Sequence, residues 1–351
     1  MIISICVIAA LVVAIFIFTN QPQFGKLPTG ERLERIKKSP NYRNGEFQNL
    51  NPTPVMAENI NYFKAIKAFM FKRSKRSEPD SVLPSKKIDL KSLNPDSNVV
   101  VWFGHSSYFM QLDGKNFLVD PVLSGSISPF RITNKSFKGS DIYSVDDLPD
   151  IDYLIITHDH WDHLDYETVT KLKPRIHKII AALGIGSHLE YWGFDKTKII
   201  ELDWYDESKL DSGFVITATP ARHFSGRLFK RNQTLWSSFV LKTPTKNIFI
   251  SGDGGYDTHF KTIGDKFGPF DLAFLECGQY NEYWKYIHCM PEKTVQAAID
   301  LQTKIFIPIH WSKFVLALHD WDEPIIRVTK AAKEKNVKMI SPVIGESVNV
   351  N

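Results

Sequence analysis

Short apolar runs, broken by polar turns and a few helical stretches, predict an α/β fold from residue 98 onward. Two observations add function to that pattern. The apolar run Ile151–Ile156 is followed at once by Thr157-His158-Asp159-His160-Trp161-Asp162-His163-Leu164-Asp165. Three later residues, His223, Asp253 and His310, also stand directly after apolar strand-like runs. A loop at the end of a rigid strand is a good place from which to aim side chains at one point.

Taken in order, the chain begins with a charge-free stretch, Met1 to Phe18, in which only Ser4 is polar. As a helix it would span about 27 Å, close to the roughly 30 Å hydrocarbon core of a bilayer. It lacks the basic start and small-residue cleavage site of a secretory leader and ends in bulky Phe16-Ile17-Phe18. Residues 1–19 are therefore expected to be an uncleaved single-pass membrane anchor. Lys26, Arg32, Arg35, Lys37, Lys38 and Arg43 follow it, which by the positive-inside rule puts the catalytic domain on the cytoplasmic side. Residues 20–54, rich in Pro, Asn and Gly, read as an extended linker. Between Asn61 and Arg76, Tyr62, Phe63, Ile66, Phe69 and Met70 recur at helical spacing among six Lys and Arg. That helix either lies on an anionic membrane surface or packs on the catalytic domain. Residues 20–97 thus form a linker with a basic amphipathic segment, and 98–351 the catalytic domain.

Within that domain, Val99–Phe103 is a strand leading to Gly104-His105. Tyr108–Leu112 and Asn116–Asp120 form a hairpin across Asp113-Gly114, a strong turn signal. Ile151–Ile156 is the strand before the histidine cluster, Tyr166–Leu172 a helix and Ile176–Ala182 a strand. Ser187–Trp192 reads as helix and Lys198–Leu202 as strand. Phe214–Ala218 leads to His223; Ser237–Lys242 and Asn247–Ile250 form a hairpin leading to Asp253. Asp271–Leu275 is a strand, Pro291–Leu301 a helix, and Ile305–Ile309 a strand ending at His310.

Spacing indicates what the cluster can hold. His158 and His160, two apart, can reach one ion from an extended turn, while adjacent Asp162 and His163 can point to a second. Imidazole and carboxylate without thiolate suit zinc, iron or manganese. His-x-His-x-Asp-His resembles the signature of the metallo-β-lactamase superfamily. The resemblance implies a four-layer αββα sandwich with the metal site at one edge of the two sheets, and two bound Zn2+, iron or manganese being the alternatives. It assigns His158, His160, His223 and Asp253 to the first metal and Asp162, His163, Asp253 and His310 to the second, with Asp253 shared. A shared carboxylate suits two cations about 3.5–4 Å apart, and bound water with a pKa near 7 is a ready nucleophile. Asp120 and Asp165 are either partners of ligand imidazoles or turn caps. His105 either lines the cleft or is structural.

Further stretches resemble the N-acylphosphatidylethanolamine-hydrolysing phospholipase D family from about Val99 to Val348. They are Trp102-Phe103-Gly104-His105, Val119-Asp120-Pro121, Glu201-Leu202-Asp203-Trp204, Gly252-Asp253-Gly254-Gly255-Tyr256, Phe267-Gly268-Pro269-Phe270-Asp271-Leu272-Ala273, His310-Trp311 and Gly345-Glu346-Ser347. The ascorbate-6-phosphate lactonase group shares the metal motifs and the Gly-His-Ser opening. One departure is Gly254, where the phospholipases usually have Thr. The resemblance implies a zinc phosphodiesterase acting on a glycerophospholipid, with His288, Asp253 and Asp162 as catalytic residues. His288, just before a Pro-Glu helix start, is the candidate proton donor to the leaving group. The alternatives are a lactonase or other small-molecule metallo-hydrolase and, outside enzymes, a membrane-tethered metal-binding protein.

Composition narrows the rest. The 351 residues are 43% hydrophobic and 23% charged, as in globular proteins, and the net charge of +4 is too mild for nucleic-acid binding. Three cysteines, Cys6, Cys277 and Cys289, support neither a disulfide framework nor a thiolate zinc site. The expected partners are a phospholipid substrate and a membrane, not nucleic acid; a homodimer is compatible with the sequence.

Overall fold

The computed structural model describes residues 2–350 other than Leu228, with side chains from Cys6 onward. Two mixed sheets lie face to face. The first has seven strands in the order β15-β3-β4-β5-β6-β7-β8. These are β3 (Val99–Trp102), β4 (Tyr108–Leu112), β5 (Lys115–Val119), β6 (Ile151–Ile156), β7 (Ile176–Ala182), β8 (Ile199–Leu202) and β15 (Ser347–Asn349). The second has six, in the order β14-β13-β12-β11-β10-β9. They are β9 (Glu207–Lys209), β10 (Val215–Pro220), β11 (Ser237–Lys242), β12 (Asn247–Ile250), β13 (Leu272–Glu276) and β14 (Phe306–Ile309). Strand alternation separates two cores. Val100 and Trp102 of β3 join Tyr108 and Met110 in the core shared with the second sheet, where Tyr108 stacks on Phe274 at 3.9 Å. Val99 and Val101 belong to the other core, with α4 (Tyr166–Leu172) and α5 (Gly186–Tyr191). α6 (His259–Phe267), α7 (Pro291–Asp300) and α8 (Glu323–Glu334) contribute Ile263, Val295 and Val328 to the first core, beside the six-stranded sheet. The expected α/β sandwich is present, at about 1.5–3 kcal/mol for each large apolar side chain fully buried.

The Asp113-Gly114 turn joins β4 to β5 with both residues at positive φ, 46° and 76°, which matches the twist of the flanking strands.

The N-terminal region departs from expectation. α1 (Ile2–Thr19) is helical, but among the described residues no helix is long and apolar enough to cross a membrane. Met1 and the side chains of residues 2–5 lie outside the described residues. The single-pass anchor at residues 1–19, and the cytoplasmic placement built on it, are corrected accordingly. The end of α1 leans on the sandwich: Phe18 stacks on Phe130 at 4.5 Å and meets Phe24 edge-on at 5.2 Å.

Residues 20–54, expected as an extended linker, lie along the sandwich. They include α2 (Gly30–Lys37) and the small hairpin of β1 (Tyr42–Arg43) and β2 (Glu46–Phe47). Arg32 pairs with Glu190 at 2.7 Å and Glu201 at 2.8 Å, and Trp192 Nε1 donates to Pro22 O at 2.7 Å. α3 (Tyr62–Phe71) starts at Asn61, whose side chain accepts from Lys64 N at 2.8 Å, an N-cap. It buries Ala65 and Ala68 and leaves Phe63 and Met70 exposed.

Candidate metal centre

Five strand ends converge on one rim. β6 delivers His158–His163, β10 His223, β12 Asp253, β13 Glu276 and β14 His310. All seven residues of the expected ligand set meet there. His158 Nε2 and His223 Nε2 lie 3.0 and 3.2 Å from His160 Nδ1. His163 Nε2 lies 3.1 Å from Asp253 Oδ2 and 3.6 Å from Asp162 Oδ2. Asp253 touches both groups: Oδ2 is 3.9 Å from His158 Nε2 and from His223 Nε2, and Oδ1 is 3.1 Å from His310 Nδ1.

Four of the five rings have a further hydrogen-bond partner outside the cluster. Asp120 accepts from Thr157 N (2.8 Å), Thr157 Oγ1 (2.6 Å) and His163 Nδ1 (2.7 Å). His158 Nδ1 donates to Thr157 Oγ1 at 3.0 Å and His223 Nδ1 to Ile287 O at 2.7 Å, while Ser106 Oγ lies 2.9 Å from His310 Nδ1. Such partners fix ring orientation and ligand basicity. Asp120 therefore belongs to the centre, whereas Asp165 does not. It accepts from Ser124 N, Glu167 N and Thr168 Oγ1 and caps α4. His105 is buried, and its Nε2 holds Asp162 Oδ2 at 2.9 Å.

The cluster fits divalent cations. His310 Nε2 and Asp253 Oδ1 are buried and make no hydrogen bond. His160 Nδ1 lies within 3.2 Å of both His158 Nε2 and His223 Nε2, three imidazole nitrogens gathered where one cation could take them all. Burial, reinforced by neighbouring rings, holds His158, His223 and His310 well below the usual histidine range. Neutral imidazole is the metal-binding form. For His163, burial opposes the charge, but Asp253, Asp162 and Asp120 outweigh it and raise the pKa. Asp253 is pushed up by burial.

His288 joins this rim. Its ring stacks on His310 at 5.3 Å and meets His223 edge-on at 5.1 Å. Behind it stands Glu276, which the sequence reading missed. Glu276 is buried, pushed well above the carboxylate range by burial despite the N–H groups of Gly254 and Cys289. It is the last residue of β13 and pairs across the sheet with Ile309, next to His310. Four buried apolar residues run straight into it, the one signal that could have found it. Gly254 is explained here: a Cβ would lie 3.0 Å from Arg222 N.

A second missed group braces the loop from behind. Asp159, between two histidines of the cluster, accepts from Gly226 N (2.7 Å), Thr234 Oγ1 (2.9 Å) and His188 Nε2 (3.2 Å); Lys26 N donates to His188 Nδ1. Buried Arg227 donates to Asp159 O (2.9 Å), Leu164 O (2.7 Å) and Gln23 O (2.9 Å), and stacks on Trp161 at 4.0 Å. Its replacement by Met leaves those carbonyls buried and unpaired. Arg227→Met is expected to lower stability by roughly 2–4 kcal/mol in urea unfolding; a shift under about 0.5 kcal/mol would reject the bracing role.

A cavity of about 540 Å³ opens over the cluster. His160, Asp162, Asp253 and His288 form its polar floor, and Tyr62, Ile66, Phe69, Trp161, Trp284 and Leu316 are among its walls. α3 thus supplies one wall of the site, an outcome not foreseen for it.

Comparison with known proteins agrees with this architecture. Residues 115–311, a span holding all seven clustered residues, match the family model of the beta-lactamase superfamily domain. An uncharacterised protein of Mycobacterium tuberculosis is 36% identical over 317 residues, covering 89% of this chain and 85% of that protein. N-acyl-phosphatidylethanolamine-hydrolyzing phospholipase D 1 of Caenorhabditis elegans is 32% identical over 261 residues, 69% of this chain and 72% of that protein. The solved structure of Igni18, a metallo hydrolase from Ignicoccus hospitalis, shares the fold with a TM-score of 0.56 at 21% identity, covering 72% of this chain and 97% of that one. The chain belongs to the metallo-β-lactamase superfamily, as a metallo-hydrolase with N-acyl-phosphatidylethanolamine-hydrolysing phospholipases D among its homologues.

Proposed function

We propose that the chain is a dinuclear zinc phosphodiesterase of phospholipase D type acting on N-acylphosphatidylethanolamine-like lipids. The observation that carries this reading is the apolar-walled cavity directly over the His/Asp cluster. A phosphorylated lactone would call for a small basic pocket; acyl chains call for aromatic and aliphatic walls such as these. The 32% identity to a phospholipase D of that specificity supports the same class.

In this reading His158, His160 and His223 would hold one cation and Asp162, His163 and His310 the other, with Asp253 available to both. When bound, the cations supply Lewis-acid charge and an activated water. The protein's own contribution is orientation. Asp120 and Thr157 fix the rings of His163 and His158, and His105 fixes Asp162. The cavity walls seat the chains and thin out water, which strengthens every charge interaction at the floor. His288, on that floor, gives a proton to the departing alkoxide.

The test is incubation of the zinc-loaded protein with a mixed lipid extract and mass spectrometry of the products. N-acylphosphatidylethanolamine should fall as phosphatidic acid rises. An unchanged lipid pool, or release of free fatty acid with lysolipid, would overturn the assignment.

A further inference from the structure

His288 is the one pocket histidine whose ring is backed by the carboxylate of a buried glutamate. Glu276 Oε1 lies 2.5 Å from His288 Nδ1 and accepts from Cys289 N at 3.3 Å. Oε2 accepts from Gly254 N at 2.5 Å. Two backbone N–H groups on opposite oxygens lock the carboxylate plane, and both come from loops of the site: one follows Asp253, the other follows His288. Thr294 Oγ1 ties the Glu276 backbone carbonyl to the start of α7 at 2.6 Å. With the carboxylate plane fixed in this way, Oε1 faces His288 Nδ1. With Nδ1 tied, Nε2 is the nitrogen left to serve the cavity that His288 lines.

We propose that Glu276 is a positioning residue that keeps a proton on His288 Nδ1 and aims His288 Nε2 at the leaving group. This rests on the hydrolytic reading above. As the oxygen of the attacking water bonds to phosphorus, the bond from phosphorus to the leaving oxygen breaks; that oxygen takes the bonding electron pair and the Nε2 proton, and His288, protonated on both nitrogens before the step, is left neutral with its hydrogen on Nδ1. Glu276 neither gains nor loses a proton in this step. Its part is geometric: through the contact at Nδ1 it holds the ring and its tautomer, as a buried acid does behind a catalytic histidine elsewhere. The bland alternative is that Glu276 only pins two loops together. The two differ in what they require of His288: a pin acts on stability whether or not the imidazole is there, whereas a positioning residue acts through it.

The experiment is a double-mutant cycle on the full-length zinc-loaded protein, Glu276→Gln crossed with His288→Ala, read with a phosphodiester of poor leaving group and with its nitrophenyl analogue. Glu276→Gln should keep zinc content and melting temperature and lower kcat about 10–100-fold on the poor leaving group, the usual worth of a lost orienting partner. The nitrophenyl ester should lose much less. In the His288→Ala background the same change should cost nothing further. An equal cost in both backgrounds, or loss of zinc, would overturn the proposal. Should Glu276→Gln not fold, or the wild type prove inactive on phosphodiesters, the proposal is still decided by the ring 15N spectrum of the wild-type, zinc-loaded protein. His288 Nδ1 should carry hydrogen; a neutral ring bearing its only hydrogen on Nε2 would refute it, and the inactivity alone would count against the hydrolytic reading.

Discussion

On the dinuclear reading proposed above, Asp253→Ala should abolish turnover and lower the metal content of the centre. The position of the side chain is the reason. One oxygen faces His158, His163 and His223 within 3.9 Å and the other faces His310 at 3.1 Å, so a single carboxylate stands between both groups of imidazoles. Two divalent ions a few ångströms apart repel each other strongly in a buried site, and a shared anion is what offsets that repulsion. No neighbouring acid is placed to replace it: Asp162 is held by His105, and Glu276 by Gly254, Cys289 and His288. The loss in activity should exceed the 10–100-fold that removal of an outer partner of a metal site costs. Elemental analysis of protein purified without chelator should give about two zinc equivalents in the wild type and fewer in the variant. A wild type holding one equivalent, with the variant's content unchanged, would sink the dinuclear assignment.

What the sequence revealed about this centre, and what it hid, follow from how each residue is held. β6, α4, β7 and the β11–β12 hairpin appear at the bounds expected of them, β6, β11 and β12 because each is a short, mostly buried apolar run. The seven clustered residues were legible because they follow such runs directly. β9 and β15 were not read, since both are short, largely exposed edge strands without a strong apolar pattern. The segment from Pro22 to Asn49 looked like linker because its attachments are backbone groups and single side chains: Pro22 O, Gln23 O, Lys26 N, Arg32, Asn49. Such contacts leave no periodicity. Glu276, Asp159, His188 and Arg227 were hidden for a related reason. Their partners lie between 12 and 204 positions away in the chain, and a motif can show only what is local. Backbone strain was equally invisible. His105, Asp120 and His310 all take positive φ, 54°, 40° and 69°, a conformation that costs about 1–3 kcal/mol at a non-glycine residue and that persists where packing and function enforce it.

The remaining large effect is expected at His288, a residue of the cavity floor outside the set of seven. His288→Ala should keep both metal ions and the melting temperature while turnover on a phosphodiester with an alkoxide leaving group falls by about 10²–10⁴, the usual worth of a positioned acid. The structure gives reasons for each half of that statement. The metal set does not need His288, because His158, His160, His163, His223 and His310 each reach the cluster without it. The fold needs it little, because Cys289 N and Gly254 N still hold Glu276 when the ring is gone. On the phosphodiesterase reading proposed above, chemistry would need it because an alkoxide leaves poorly without a proton. Burial holds the His288 pKa below the usual histidine value, which makes its proton easier to give up once acquired, while Asp253 and Asp162 oppose that shift. A nitrophenol leaving group departs without help, so the nitrophenyl substrate should recover most of the lost rate. Equal damage on both substrates would reject the acid role, and a fall in zinc content or melting temperature would assign His288 to the architecture of the loop instead.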